Sequence, residues 1–284
     1  LPPAARVRRP VPAGSPDTGS GREIRAMNRP LKYSLVGLVL LVLAGAGYLY
    51  STQANRAVPA PEAVAALRSD ERVTVEDGQY VVFRPTGGTP TTGVVFYPGA
   101  ACDPRGYAPV LRRVAERGYL VVSVPMPLDM AIFAPGRADE VRAAFPEVQR
   151  WVIAGHSMGG AMAAHYAHQH PDDLAGLILW DSRPAGSDSL VELKYPVWHI
   201  HRATAEGRPP EKLEKYRNLF PATSTWVPIP GGIHMYFGSF LGGAYKEQWT
   251  PTISREAQQD LAVTGTLNAL LAMAPTGATE PMTN

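Results

Sequence analysis

Ser157, set in Gly155-His156-Ser157-Met158-Gly159, is the residue on which chemistry in this 284-residue chain would turn. Trp151 to Ala154 is a short apolar run that reads as a buried strand, and Gly160 to Ala164 continues as a helix of small residues. A serine on a sharp turn between strand and helix holds its hydroxyl clear at the strand's end. Gly155 and Gly159 let neighbouring backbones pass close to that turn, where Ser157 is expected to take unfavourable dihedrals. The helix N-terminus beside it favours developing negative charge. The chemistry such an arrangement serves is acyl transfer, in which a serine attacks a carbonyl once a base takes its proton.

Of the seven histidines, His234 is the best-placed base. It lies in the Gly-rich loop Pro230-Gly231-Gly232-Ile233-His234, after the last expected strand and before the final expected helix. His165, His168 and His170 fall on or just past the helix after Ser157 and read as solvent-facing or helix-end residues. His199 and His201 alternate on a strand, a spacing able to bind metal, but no further ligands stand in register with them.

The elements that must position these residues follow from hydropathy patterning. Residues 72–83 alternate around Asp77-Gly78 and predict a hairpin. Strands are expected at 93–97, 119–124, 151–154, 174–180, 197–201 and 225–228, and helices at 107–117, 138–145, 157–168, 210–219 and 254–273. Strands alternating with helices at this spacing imply a mostly parallel sheet with helices on both faces. Ligands of such sheets bind at the carboxyl ends of the strands.

Residues 93–262 resemble the small, lidless serine-hydrolase branch of the α/β-hydrolase superfamily. The matching pieces are Phe96-Tyr97-Pro98-Gly99-Ala100, Arg105-Gly106-Tyr107-Ala108-Pro109, Gly118-Tyr119-Leu120-Val121-Val122, Met126-Pro127-Leu128, the serine turn, and the loop from Pro230 through His234-Met235-Tyr236-Phe237-Gly238. The resemblance implies an α/β-hydrolase fold without a large cap domain, and the chain order serine, acid, histidine. It places the acid after the strand preceding the histidine loop, where Ala203-Thr204-Ala205-Glu206-Gly207 offers Glu206. Asp181, just past the 174–180 strand, is the rival that some members use, and Asp188 is a third candidate. The resemblance also implies an oxyanion hole from the Met158 N–H and an N–H of the loop after residue 97, with Ala100 favoured and Ala101 the alternative. Ala101, Cys102, His156 and Met235 are expected to line the substrate pocket.

The single cysteine, Cys102, excludes an internal disulfide framework and a Cys-rich zinc site, and a net charge of +2 gives no reason to invoke nucleic acid. Residues 1–26 are rich in Pro, Arg, Gly and Ser and read as a disordered extension. Met27 directly precedes a targeting sequence and is expected to be the natural start, with the preceding residues an addition to it. Asn28 to Lys32 is basic, and Tyr33 to Asn55 is free of charge with an apolar core from Leu35 to Tyr50. Basic residues before an apolar run keep the N-terminus cytoplasmic and send the downstream chain across the membrane. An uncleaved signal anchor over 27–55 is expected, a cleaved signal peptide being the alternative. No cysteine directly follows the run, so a lipoprotein anchor is excluded. Residues 56–69 read as an Ala/Pro-rich linker, 70–274 as the catalytic domain and 275–284 as a disordered tail.

The expected activity is therefore hydrolysis of carboxylic esters by a membrane-anchored or exported serine hydrolase that needs no metal or organic cofactor. Its partners would be a small-molecule or envelope ester and the membrane. Amide, thioester or acyltransferase chemistry on the same residues remains open, as does an inactive binding protein that has kept the fold.

Overall fold

The computed structural model describes residues 29–275. The expected extension 1–26, Met27, and the tail from residue 276 lie outside the described residues. The chain divides into two units, residues 1–47 and 48–284. Helix α1 (Arg29–Ala54) begins in the first and ends in the second. Its stretch Lys32–Ser51 is 20 residues long, with none of it buried, and is long and apolar enough to cross a membrane.

In the second unit the segment after α1 differs from the linker expected over 56–69. It forms strand β1 (Ala57–Pro59) and the short helix α2 (Pro61–Ala65). Ala57, Ala60 and Ala63 are buried. Alanine reads as linker by composition, yet its small side chain lets backbone seat directly against the domain. The packed domain therefore starts near residue 57 rather than 70.

The main sheet follows from runs of β-branched and aromatic residues. Hairpin β2 (Val73–Asp77) and β3 (Val81–Pro85) precede β4 (Thr92–Tyr97), helix α3 (Ala108–Ala115) and β5 (Leu120–Ser123). Then come α4 (Arg137–Ala144), β6 (Arg150–His156), α5 (Ser157–Gln169), β7 (Gly176–Trp180) and β8 (Val197–Ala203). The helix expected over 210–219 is shorter: α6 covers only Glu211–Glu214, and a single 3-10 turn, Arg217–Leu219, follows. Strand β9 (Thr225–Pro230), the short β10 (Phe240–Gly242) and α7 (Arg255–Ala272) follow.

Eight strands pair in the order β2-β3-β5-β4-β6-β7-β8-β9, antiparallel at β2-β3 and β3-β5 and parallel from β5 onward. β1 and β10 form a separate antiparallel pair. Alternation along each strand divides the core in two. Val94, Phe96, Val152, Ala154, Ile178 and Trp180 face a cluster that includes α3 and α7 residues. Val95, Tyr97, Ile153, Leu177 and Leu179 face the other, with α4 and α5. The parallel register aligns Tyr97 with Gly155 and His156 with Trp180. The loops after β4, β6 and β7 therefore leave the same edge of the sheet.

Candidate active site

Ser157 stands at the junction of β6 and α5 with φ +54°. A side chain on Gly155 would meet the Gly159 carbonyl carbon at 2.6 Å, and one on Gly159 would run into the backbone of Tyr97 and Pro98. Only glycines let the turn fold this tightly against β4. Ser182 Oγ donates to the Ser157 carbonyl at 2.5 Å and fixes the turn from the neighbouring strand end. The Met158 N–H lies in the first turn of α5, where backbone donors have no helical acceptor. In the loop after β4, the Ala101 N–H is committed to the Asp129 carbonyl at 2.9 Å, whereas the Ala100 N–H has no partner among the described hydrogen bonds. Of the two expected alternatives, Ala100 is thus the one free to face an oxyanion with Met158.

Non-glycine residues with positive φ among the described residues are Ala101, Leu128, Asp129, Ser157 and Asp181. Ala101 follows the carboxyl end of β4, Leu128 and Asp129 that of β5, Ser157 that of β6 and Asp181 that of β7. Left-handed backbone costs an L-residue free energy and gathers where surrounding structure imposes it, as at active sites.

His234 opens a 3-10 turn after β9 and is buried. Its Nδ1 is hydrogen-bonded to Asp181 Oδ2. Glu206 is not the partner. It stands on the exposed turn after β8, accepting from Thr204 Oγ1 at 2.8 Å and lying 3.6 Å from Arg208. Asp188 is engaged elsewhere, with His165 at 3.0 Å and Ser187. The carboxylate beside the histidine is therefore Asp181, and the preference for Glu206 is corrected. The chain turns outward after Ala203, with the Gly207 N–H donating to Thr204 O, and this carries Glu206 to the surface.

Asp181 also receives Arg202 Nη1 at 2.5 Å, from the buried guanidinium of the adjacent strand. Burial alone would push the Asp181 carboxyl up. The His234 hydrogen bond and the charges of His234 and Arg202 outweigh it and hold the group well below the usual carboxylate range. Asp181 is accordingly an anion at neutral pH, fit to orient an imidazole and to stabilise its charged form.

The described hydrogen bonds do not join the Ser157 hydroxyl to His234. His156, the residue before Ser157, packs its ring against His234 with centroids 4.4 Å apart. Such bonds are often long in unliganded enzymes and shorten on substrate binding. His156 and Cys102, expected to line a pocket, are both buried and both tied to Tyr107. Tyr107 Oη accepts from the Gly99 N–H at 3.0 Å and meets His156 Nδ1 at 2.8 Å. Burial, with the nearby His234 charge, holds His156 well below its ordinary value and neutral. Burial pushes the Cys102 thiol up to about 12, which leaves it unreactive as a nucleophile. His199 and His201 stack on each other at 5.0 Å beside Trp226, and no group of three or more His, Cys, Asp or Glu able to hold a metal occurs among the described residues.

Residues 243–250, which sequence patterning leaves as a featureless loop, clamp the histidine. Tyr245 stacks on the His234 ring at 4.1 Å. Glu247 accepts the His234 and Met235 N–H groups at 3.0 and 2.7 Å. Gln248 Oε1 accepts from Arg202 at 3.0 Å, and Trp249 Nε1 donates to the Gly232 carbonyl at 2.8 Å. The segment mixes aromatic, acidic and amide residues without periodicity, so no local signal marks it.

The family model described as "Alpha/beta hydrolase family" matches residues 93–260, more than half of the chain and every residue of this constellation. The chain belongs to the α/β hydrolase family. A protein of Mycobacterium phage D29 named "Putative non-heme haloperoxidase" is 30% identical over 159 residues, 50% of this chain and 52% of that protein. The chain thus spans about half the length of the curated relative it matches. Among solved structures, Est1E from Butyrivibrio proteoclasticus aligns with TM-score 0.49 at 13% identity, over 70% of this α/β hydrolase and 99% of that chain. A soluble variant of monoglyceride lipase from Saccharomyces cerevisiae, in complex with a substrate analogue, aligns with TM-score 0.49 at 10% identity, over 74% and 98%.

Proposed function

We propose that this α/β hydrolase is a serine hydrolase that cleaves carboxylic esters through an acyl-enzyme, held at the membrane by α1 with its catalytic domain on the extracytoplasmic side. The observation that carries the reading is the buried His234–Asp181 pair, with Asp181 leaving β7 at the same sheet edge where the left-handed Ser157 leaves the adjoining β6. With Nδ1 bound to an ionised carboxylate, His234 presents Nε2 as a base to the Ser157 hydroxyl. The hydroxyl attacks the ester carbonyl as its proton passes to His234. The Met158 and Ala100 N–H groups hold the tetrahedral oxyanion, assisted by the α5 dipole. His234 then protonates the leaving alcohol, and a water molecule repeats the sequence on the acyl-enzyme. The substrate is an ester of small-molecule or envelope origin.

The test is labelling of the full chain by a fluorophosphonate, followed by an ester, amide and thioester panel. Labelling should vanish in Ser157→Ala and fall strongly in His234→Ala, and esters should be the class turned over. A folded wild-type protein that resists the probe would move the weight to a binding module on the same fold. Preferred turnover of amides or thioesters, or acyl transfer to an alcohol in place of water, would replace the ester assignment.

A further inference from the structure

Six large apolar side chains stand exposed around the catalytic groups: Val58, Leu128, Ile132, Phe133, Leu241 and Tyr245 are each 41% to 53% accessible. They come from three segments that touch the site. Val58 and Leu241 are opposite each other in the β1–β10 pair and so share one face. The Ala57 N–H, one residue before Val58, donates to the Ala101 carbonyl at 2.8 Å. Leu128 precedes Asp129, whose carbonyl accepts the Ala101 N–H and whose carboxylate meets Arg56 at 3.1 Å. Ile132 and Phe133 sit on the turn Ala131–Phe133, which packs on α5. Tyr245 covers the His234 ring.

Scattered exposed apolar residues are ordinary, but a group that rims a site marks a surface with a partner. The chain itself indicates which partner. The apolar stretch of α1 ends at Ser51, and Val58 can lie at most about 25 Å of extended chain beyond it. Gln53 Nε2, in the last turn of α1, donates to the Leu128 carbonyl at 2.7 Å. We infer that this apolar rim docks on the lipid surface that α1 enters, and that the site takes its substrate from that surface as the acyl ester of a membrane lipid. The inference rests on the serine-hydrolase reading and extends it to a substrate class. A mouth seated at the interface lets an acyl chain stay in lipid while its ester reaches Ser157. A mouth in water would expose every methylene of the chain.

The experiment uses the full chain in vesicles of phosphatidylcholine and phosphatidylglycerol, with 4-nitrophenyl acetate in water and 4-nitrophenyl palmitate in the bilayer. In Ile132→Ser/Phe133→Ser and in Leu241→Ser, turnover of palmitate should fall by about tenfold while turnover of acetate stays unchanged. Unchanged palmitate turnover, or an equal loss on both esters, overturns the proposal. A second readout does not depend on catalysis. Cys102 is buried, so Phe133→Cys accepts an environment-sensitive dye at one place. Its emission should shift to the blue on vesicles, while a dye at Lys194→Cys, before the start of β8, should not shift. No shift at residue 133 refutes docking. A shift in a protein that hydrolyses neither ester and resists fluorophosphonate keeps the docking surface and removes the serine-hydrolase reading beneath it.

Discussion

The two halves of the candidate site are built in different ways. The nucleophile half is local: β6, the turn and α5 are continuous in sequence, and Gly155, Ser157, Met158 and Gly159 all lie within it. Its geometry depends on the absence of side chains at two glycines and on one strained serine. The histidine half is assembled from afar. Asp181 comes from the end of β7, Arg202 from β8, His234 from the loop after β9, and the clamp from residues 243–250. A local motif tolerates no bulk, whereas an assembled one depends on charge and hydrogen bonding among buried groups.

The largest effect that breaks this contrast is expected at Gly159→Ala. The added carbon runs into the Tyr97 and Pro98 backbone, which cannot move without disturbing β4, so stability should fall by roughly 3 kcal/mol or more in denaturant unfolding. An unchanged midpoint would mean that the turn is not held against β4 as described. In the histidine half, Arg202→Met should cost about 3 kcal/mol, because it strips a buried carboxylate of its guanidinium partner. The same unfolding experiment measures it, and a neutral result would show that Asp181 does not need Arg202. Glu247→Ala removes the acceptor of two backbone N–H groups. It should lower kcat by about tenfold with little change in KM, since it loosens the histidine rather than the substrate.

The mildest expectation concerns acid. Burial holds both β8 histidines below their ordinary values, His199 at about 3. The unfolded chain takes up their protons near pH 6.5 while the native chain refuses them. Their contribution to stability is therefore full above about pH 6.5 and is lost as pH falls toward the native values. His199→Phe should flatten the decline of the unfolding midpoint between about pH 6.5 and 4. Among the described residues its ring nitrogens make no hydrogen bond of full geometry, so the variant should destabilise the protein little at neutral pH. A wild-type midpoint that does not move with acid would contradict this placement.

The same contrast explains which parts of the molecule are legible in the sequence. The serine turn, the parallel sheet and the histidine loop are written in contiguous hydropathy and glycine placement, and the structure places them as those patterns indicate. The acid is not written that way. Glu206 occupies the expected place after the strand before the histidine loop, but the chain turns outward there. The carboxylate that reaches His234 sits one strand earlier, on a residue with φ +44°. Neither a left-handed aspartate nor a buried arginine on the neighbouring strand leaves a local sequence signal. The Ala/Pro segment after α1 misleads for a related reason. Alanines that bury against other backbone look, by composition, like alanines in a linker.

The most direct test of the account compares fluorophosphonate inactivation rates of the wild type, Asp181→Asn and Glu206→Gln. If His234 is oriented by Asp181, the asparagine variant should react roughly 10³- to 10⁴-fold more slowly, because its amide favours the wrong imidazole tautomer. Glu206→Gln should react like the wild type. A wild-type rate in Asp181→Asn, with the loss appearing in Glu206→Gln, would contradict the central claim and return the acid to the turn after β8.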